Sequence, residues 1–446
     1  MAAPKRFVPT VAPTPLRDRL VRPIVHFAEN EASSGMLLVA LAAVAMLWAN
    51  LGPAGHYETF WNRPLTLSLG DAGASLSLRH WINDGLMALF FLLMGLEIKR
   101  EFLLGELSDA RKAALPVAAA LGGMIVPAAL YALVNIRGGN MRGTGVPMAT
   151  DIAFSLGVLA LLRSRAPAGL KVLLAAVAIV DDLGAVLVIA IFYSTGIAWT
   201  MVAGMAVCLV ILIVLNRIGA RLPLAYMAVG IPLWAFTLAS GVHATIAGVL
   251  LAMTVPVRVF LDPVAFTTEA RDAIDTFEAT ACEDPYEMNP ERQEAVSALE
   301  SACERVQMPL ERMENTLLPW VSYGIVPLFA LANAGVVLTG FAPLLTPVGI
   351  GVLVGLVLGK PLGVVLASRL AVRSGRAELP NGVGSKHLIG IGLLAGIGFT
   401  MSLFISELAF GEGASHDAAK TATLAASVVM GLAGYVYLHR VSSKTL

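Results

Sequence analysis

Long apolar runs separated by short polar loops dominate this chain. A bilayer-spanning helix needs about 20 predominantly apolar residues. About twelve such runs occur, and they centre near Val44, Phe91, Gly123, Leu156, Val180, Cys208, Gly230, Gly248, Pro327, Gly355, Gly396 and Ala426. Several of the runs are interrupted by Gly, Pro or polar residues. The pattern predicts an all-α membrane protein with about twelve transmembrane helices.

One stretch near residues 57–79 departs from the helical pattern. The segment PLTLSLGDAGASLSLRH alternates apolar and polar residues around Gly70–Gly73, and such alternation predicts a β-hairpin. An exposed hairpin edge can pair with a second copy of itself, so a homodimer through this hairpin is one prediction. A simple folded-back loop is the alternative.

Composition and charge agree with a membrane protein. The chain is 57% hydrophobic and 14% charged, with a mean hydropathy of +0.76, which is far too apolar for a soluble domain. Membrane lipid is therefore the expected surrounding, and a formal net charge of zero argues against a nucleic-acid partner. Cytoplasmic loops carry the basic excess, and placing both termini inside puts 25 of the 31 Lys and Arg residues in inner segments.

Five parts follow along the chain. We predict a cytoplasmic N-terminal segment (1–34), eight spans (35–256), an acidic cytoplasmic insertion (257–315), four spans (316–438) and a cytoplasmic tail (439–446). Residues 258–314 hold 14 acidic and five basic side chains, and PERQEAVSALESACERV has helical spacing. The insertion is thus predicted to form a pair of amphipathic helices, either as a solvated surface or as a regulatory or partner-binding element.

Few ionisable side chains fall within the predicted spans, where they are costly and mark functional sites. Four lie near span ends, where interfacial water explains them without a function: Asp84, Glu97, His243 and Glu407. Four lie deeper, where a functional interpretation is favoured: Asp151, Asp181, Asp182 and Lys360.

The adjacent carboxylates of Asp181 and Asp182 stand in AIVDDLGAVLV. Neighbours on a helix point about 100° apart, so both can border one cavity. Burial and mutual repulsion penalise two ionised carboxylates, and bound protons or a bound cation relieve the penalty. Because a carboxylate must lose its proton to bind a cation, such a site accepts either Na⁺ or H⁺, as an antiporter requires. A pair that only caps a neighbouring helix is the alternative.

Two spans are predicted to be interrupted. In GVPMATDIAFSLG, Pro147 and the Thr150–Asp151 step break an apolar run, and LLAGIGFTMSLF contains a second break near Gly396. Interrupted spans in corresponding positions of two halves indicate inverted repeats with an ion site between them. Asp151 is suited to offset the positive ends of half-helices, and Thr150 could add a cation ligand.

Lys360 is the one basic residue in the middle of a predicted span, in GLVLGKPLGVV. A buried lysine must pair with a carboxylate or lose its proton. A lysine that pairs with Asp181 and releases its proton when a cation binds would couple the two ions. A structural ion pair without this role is the alternative.

The motifs PMATDIAFSLGVLALL, AIVDDLGAVLVIAIFYS, SGVHATIAGVL, PLFALANAGV, LGKPLGV and GIGFTMSLFI resemble those of the NhaA-type Na⁺/H⁺ antiporters. The resemblance extends from about Gly35 to Tyr437. It implies twelve spans with both termini inside, inverted repeats that include crossed, discontinuous fourth and eleventh helices, and a bacterial inner-membrane location. No cofactor is implied beyond the transported ions.

The resemblance also implies residue roles. Asp182, Asp181 and Thr150 would bind Na⁺ (or Li⁺) and H⁺, while Asp151 and Lys360 would compensate the helix dipole ends, with Lys360 also pairing to Asp181. Exchange of cytoplasmic Na⁺ for external H⁺ would be electrogenic and would serve sodium extrusion and pH homeostasis.

A pH-responsive cytoplasmic cluster is implied as well. Its members would be Glu97, Arg100, Glu101 and Glu314, with His243 also linked to the pH response. This chain departs from the family pattern beside Glu314, since Asn315 and Leu318 stand where relatives carry histidines. That departure predicts a shifted pH profile.

Two other classes of protein compete with an antiporter. A Na⁺-coupled symporter would need a roomier polar cavity for an organic solute, and the sequence lacks the extra polar lining. An intramembrane enzyme with paired aspartates would need carboxyls facing each other from separate elements, or aspartates spaced to hold Mg²⁺ and a diphosphate, and DDLGA supplies neither. We therefore expect a transporter and not an enzyme.

Overall fold

The architecture comes from a computed structural model. It describes residues 31–69, 72–162, 165–194, 196–259, 261–280, 288–338 and 340–442. Most of the predicted N-terminal segment, the hairpin turn at Gly70 and Asp71, and the end of the predicted tail therefore lie outside the described residues.

Helices account for most of the described chain, which confirms the all-α class. In chain order they are α1 (Glu31–Leu51), α2 (His56–Trp61), α3 (Leu78–Leu103), α4 (Ala110–Asn135), α5 (Ile152–Ala160), α6 (Ala168–Phe192), α7 (Trp199–Ile218), α8 (Pro223–Ser240), α9 (Ile246–Thr254), α10 (Pro263–Ala279), α11 (Pro290–Val306), α12 (Pro309–Asn333), α13 (Pro347–Arg373), α14 (Ser385–Ala395), α15 (Phe399–Phe410) and α16 (Ala414–Ser442). Short 3₁₀ helices cover Met141–Met148 and Ala342–Leu345.

Ten helices of the described chain are long and apolar enough to cross a membrane, or eleven if the bent pair α14 and α15 counts as one span. This confirms a multi-span membrane protein. The predicted span near Gly248 is α9, which has only nine residues and is too short to cross alone. The count of twelve and the cytoplasmic placement of both termini stay predictions.

Two paired strands lie within the stretch predicted as a hairpin. β1 (Pro64–Leu69) and β2 (Ala72–Ser77) run antiparallel, with Leu65 opposite Leu76. Ser77 then caps the start of α3, since its hydroxyl accepts a hydrogen bond from the backbone N–H of His80. The hairpin therefore leads directly into a spanning helix.

Local sequence explains where several helices begin. Asp109 caps α4 through the backbone N–H of Arg111, and Asp262 and Asn289 cap α10 and α11 in the same way. Helices α10, α11 and α12 also have Pro at their first position, where its missing N–H costs nothing. Helices α10 and α11 pack on each other within the acidic insertion.

Helix α4 packs closely along α13 in the centre of the bundle. A Cβ atom added to Gly122 would lie 2.2 Å from the carbonyl oxygen of Gly363, and one added to Gly363 would lie 2.0 Å from that of Gly122. Only glycines allow this approach. Lys360, at the middle of α13, contacts α6 and the end of the 3₁₀ helix Met141–Met148.

Candidate ion-binding site

Asp151 joins the two interrupted spans. The chain is extended at Ala149 and Asp151, between the 3₁₀ helix Met141–Met148 and α5. The second break separates α14 from α15, which meet at 46°. The two breaks contact each other, because the backbone N–H of Asp151 donates to the carbonyl of Ile397 at 2.7 Å.

The Asp151 carboxylate caps two helices at once. Its Oδ1 accepts from the backbone N–H of Phe154 in α5 at 2.9 Å, and its Oδ2 accepts from the backbone N–H of Thr400 in α15 at 3.0 Å. The Thr400 hydroxyl also donates to Oδ2. Helix N-termini carry partial positive charge, so one buried carboxylate compensates both half-helices.

Lys360 lies on the opposite side of the same crossing. Its Nζ is 2.7 Å from Oδ2 of Asp181, and neither side chain is exposed to solvent. The ammonium also donates to the carbonyl of Met148, which ends the 3₁₀ half of the first interrupted span. Lys360 thus compensates both a carboxylate and the negative end of a helix.

Thr150 lies beside this ion pair. Its hydroxyl has two acceptors, Oδ2 of Asp181 at 2.6 Å and the carbonyl of Ala395 at 3.0 Å. A hydroxyl has one proton to donate, so these two acceptors compete for the same proton. Thr150 therefore links α6 to the C-terminal end of α14.

Asp181 and Asp182 both lie buried on α6. Among the described residues, Oδ1 of Asp181 and Oδ1 of Asp182 have no hydrogen-bond partner. A buried carboxylate oxygen without a partner is costly. These two oxygens and the Thr150 hydroxyl are hard oxygen donors of the kind that alkali cations prefer.

A second polar cluster joins the ends of α3 and α12. The Nη1 atom of Arg100 is 2.8 Å from Oε1 of buried Glu314. Glu97 lies one turn away and interacts electrostatically with Glu314, Arg100 and Asp182. The Glu101 carboxylate instead accepts the backbone N–H of Glu106 at 2.9 Å. Glu101 also interacts electrostatically with Glu97 and Glu314. The structure therefore brings Glu97, Arg100, Glu101 and Glu314 together, with the Glu101 carboxylate hydrogen-bonded to its own loop.

His243 is not part of that cluster. Its Nε2 is 3.4 Å from Oδ1 of Asp84, near the other end of α3, and its Nδ1 contacts the Thr245 hydroxyl at 2.8 Å. Its ring packs perpendicular to the ring of Phe404 in α15. Any link between His243 and the Arg100–Glu314 pair must therefore act over the length of α3.

Sequence reasoning missed the role of Lys99. Its Nζ donates to the carbonyls of Met253 at 2.6 Å, Val255 at 2.5 Å and Ala252 at 3.4 Å, which lie at the end of α9. Lysines stabilise helix C-termini in this way. A lysine at the end of an apolar span indicates only orientation, so the sequence gives no signal for this contact.

Two interrupted helices crossing at buried, oppositely charged side chains within a bundle of apolar helices define a membrane transporter of the broken-helix type. Residues 25–438 match the sequence profile of the family described as Na⁺/H⁺ antiporter 1. The chain belongs to that family, which confirms the resemblance stated above.

Individual relatives match over nearly their whole lengths. The Na⁺/H⁺ antiporter NhaA of Oleidesulfovibrio alaskensis is 48% identical over 97% of this chain and 96% of its own. NhaA 1 of Saccharophagus degradans is 43% identical over 99% of this chain and 97% of its own. NhaA of Koribacter versatilis is 46% identical over 95% of this chain and 92% of its own.

Proposed function

We propose that this protein exchanges cytoplasmic Na⁺ or Li⁺ for external H⁺ across a bacterial inner membrane. The observation that carries the proposal is the pair of buried carboxylate oxygens on Asp181 and Asp182 that have no partner within the described chain, beside the Lys360–Asp181 ion pair. Relatives named Na⁺/H⁺ antiporters that align over nearly the whole chain support it.

The contacts suggest how the two ions compete. Without Na⁺, Asp181 is paired with Lys360, and a proton on Asp182 would neutralise the remaining buried carboxylate. A Na⁺ ion that binds to both carboxylates and to the Thr150 oxygen displaces the Asp182 proton and takes Asp181 from Lys360. The lysine, now buried without a counter-charge, gives up its proton as well.

Release of two protons for one Na⁺ would make the exchange electrogenic. Alternating access then requires movement of the interrupted helices, which carry Asp151, Thr150 and Thr400. We further propose that the Glu97, Arg100 and Glu314 cluster makes activity pH-dependent. It interacts electrostatically with Asp182 through Glu97, so a change in its charge alters the cost of charging the ion site.

The experiment that tests the proposal is Na⁺-induced collapse of ΔpH in everted membrane vesicles, across neutral and alkaline pH. We expect Na⁺ and Li⁺ to dissipate the gradient with the unmodified protein and with Asp109→Asn, an exposed helix cap, but not with Asp182→Asn. Valinomycin with K⁺ should speed the exchange if charge moves. If the unmodified protein is well folded and added Na⁺ does not change ΔpH at any pH, the proposal is overturned.

We also propose that the hairpin β1–β2 supports a homodimer. Within the described chain it is a two-stranded sheet, so both strands have a free edge for pairing with another copy. Light scattering of the detergent-solubilised protein should give twice the chain mass, and removal of residues 64–77 should give the mass of one chain. An unchanged mass would exclude the hairpin as the interface.

A further inference from the structure

Buried charges at the outer end of α15, in the predicted orientation, are not used by the ion site. Lys420 of α16 and Arg79 of α3 are only 2% and 4% exposed, although both stand at the ends of apolar runs. Buried cations are unfavourable unless they are paired. The carboxylates of the described chain that interact with them are Glu58, 2.7 Å from Arg79, and, beside Lys420, Glu407 of α15 and Asp417 of α16.

Glu407 is held from several directions. Its Oε2 lies 3.4 Å from Nε2 of His416 in α16, and its side chain is 20% exposed. The titratable groups that interact electrostatically with it come from α2, α3 and α16, and they are Tyr57, Arg79, Asp84, His416 and Lys420. Glu407 is thus the residue of α15 that interacts electrostatically with α3 and α16.

One face of α15 connects Glu407 to the ion site. Thr400, Phe404 and Glu407 are four and three residues apart, so they lie on the same side of the helix. Thr400 holds Asp151 at the inner end. Phe404 is fully buried, and its ring packs at centroid distances of 5.3, 6.1 and 5.4 Å on the rings of Phe91, Phe329 and His243.

Phe404 lies between two polar regions along α15. Toward the start of the helix are Asp151 and the ion site, and toward its other end is Glu407. Helix α15 has 12 residues and is therefore about 18 Å long. A shift of its outer end must move Phe404 and Thr400 with it.

We propose that Glu407 is the positioning residue for the outer opening of the transporter. Its charge holds the outer end of α15 against α16 and Arg79 while the site is closed to the outside, and loss of that charge favours the outward-open state. The inference rests on the proposed antiport function and adds to it the residue through which the outer side controls α15.

Charge pairing gives the physical reason. Without a negative Glu407, the buried cations Arg79 and Lys420 keep Glu58 and Asp417 as the interacting carboxylates within the described chain. The repulsion between the two cations then weakens when the helix ends separate and water enters.

The test measures each face of the membrane separately. The apparent KM for Na⁺ is determined on the inner face in everted vesicles and on the outer face in right-side-out vesicles. The proteins are the unmodified chain, Glu407→Gln, Glu407→Asp, and Glu412→Gln as a control that removes a nearby exposed carboxylate. Glu407→Gln should lower the outer KM and raise the inner KM, each by about three- to tenfold, because the population shifts outward.

Aspartate at 407 should restore values close to those of the unmodified protein, and Glu412→Gln should change neither KM. The proposal is overturned if the ratio of outer to inner KM is the same in Glu407→Gln and in the unmodified protein. A lower maximal rate alone would then indicate only a structural role for Glu407.

A second measurement does not depend on transport. Hydrogen–deuterium exchange of purified protein should be faster at residues 405–410 in Glu407→Gln than in the unmodified chain, with residues 152–160 unchanged. Unchanged exchange at 405–410 would overturn the inference even if antiport is observed. Absence of Na⁺-dependent proton movement in the unmodified protein would instead overturn the proposed function, whatever the exchange data show.

Discussion

Asp151 and Thr400 are 249 residues apart in sequence, yet the backbone N–H of Thr400 donates to Oδ2 of Asp151 at 3.0 Å. Since Oδ1 of the same carboxylate caps α5, one side chain sets the geometry of both interrupted spans. The crossing is therefore a single structural unit, and its response to mutation should differ from that of an ordinary helix cap.

Asp151→Ala should lower stability more than removal of a single cap does. Loss of one N-cap costs about 0.5–2 kcal/mol, and Asp151 caps two helices in a buried setting. We expect a loss of roughly 2–4 kcal/mol, measured by denaturant unfolding in detergent. Asp109→Ala, which removes the exposed cap of α4, is the control at about 1 kcal/mol. Equal losses in the two variants would contradict the shared-cap interpretation.

The Lys360–Asp181 pair should behave as a coupled unit in a double-mutant cycle. Removal of one partner of a buried ion pair costs about 3–5 kcal/mol, because the other charge is left unpaired. Lys360→Met and Asp181→Asn should each destabilise the protein, and the double variant should be more stable than the sum of the two effects predicts. All three should fail in Na⁺-induced ΔpH collapse. Additive stability changes would show that the pair is not coupled.

The contact between Gly122 and Gly363 predicts sensitivity to a single methyl group. Alanine at either position would place Cβ within 2.2 Å of a carbonyl oxygen of the facing helix, and overpacking typically costs about 1–3 kcal/mol. Thermal unfolding in detergent should show the loss for Gly122→Ala. Gly324→Ala is the matched control, because a Cβ there meets nothing within 4 Å. A similar effect of both substitutions would argue against close helix packing.

Lys99 should stabilise the end of α9 through its charge. Hydrogen bonds from a charged group contribute about 1.5–3 kcal/mol, so Lys99→Met should reduce stability by about that amount, and Lys99→Arg should reduce it less. Lys112→Met provides the control, because the Lys112 side chain is 61% exposed and its Nζ pairs only weakly with Glu106, at 3.7 Å. Denaturant unfolding that ranks Lys112→Met as the more harmful change would refute this role.

The sequence predicts a contact when the position of a residue in the apolar pattern already requires a partner. Lys360 and Asp181 are oppositely charged and both lie deep in apolar runs, so their pairing follows from the cost of burying either alone, and the structure contains that contact. Arg79 and Lys420 gave no such signal. They stand at the ends of apolar runs, where a charge normally reaches water, and only the packing of α2, α3 and α16 buries them.

The region around Gly248 shows a second limit. The apolar run there has the composition of a spanning helix. However, Gly241 adopts a positive φ of 84° and ends α8, and helix α9 begins only at Ile246. The helix ends again at Thr254, so it has only nine residues. Hydropathy scores the apolar residues on either side of α9 whether or not they are helical, and it therefore overestimates the length of the helix. The pairing of Lys99 with the carbonyls after α9 is likewise invisible in sequence, since backbone acceptors carry no residue-specific pattern.

The carboxylate shared by α5 and α15 also limits how this protein can change over evolutionary time. Residues from opposite halves of the chain must fit one another at a single carboxylate, so neither half can be replaced as an independent module. A chimaera that takes one interrupted span from a distant relative should assemble only when the facing break comes with it. Substitutions at positions 151 and 400 are accordingly expected to be inherited together.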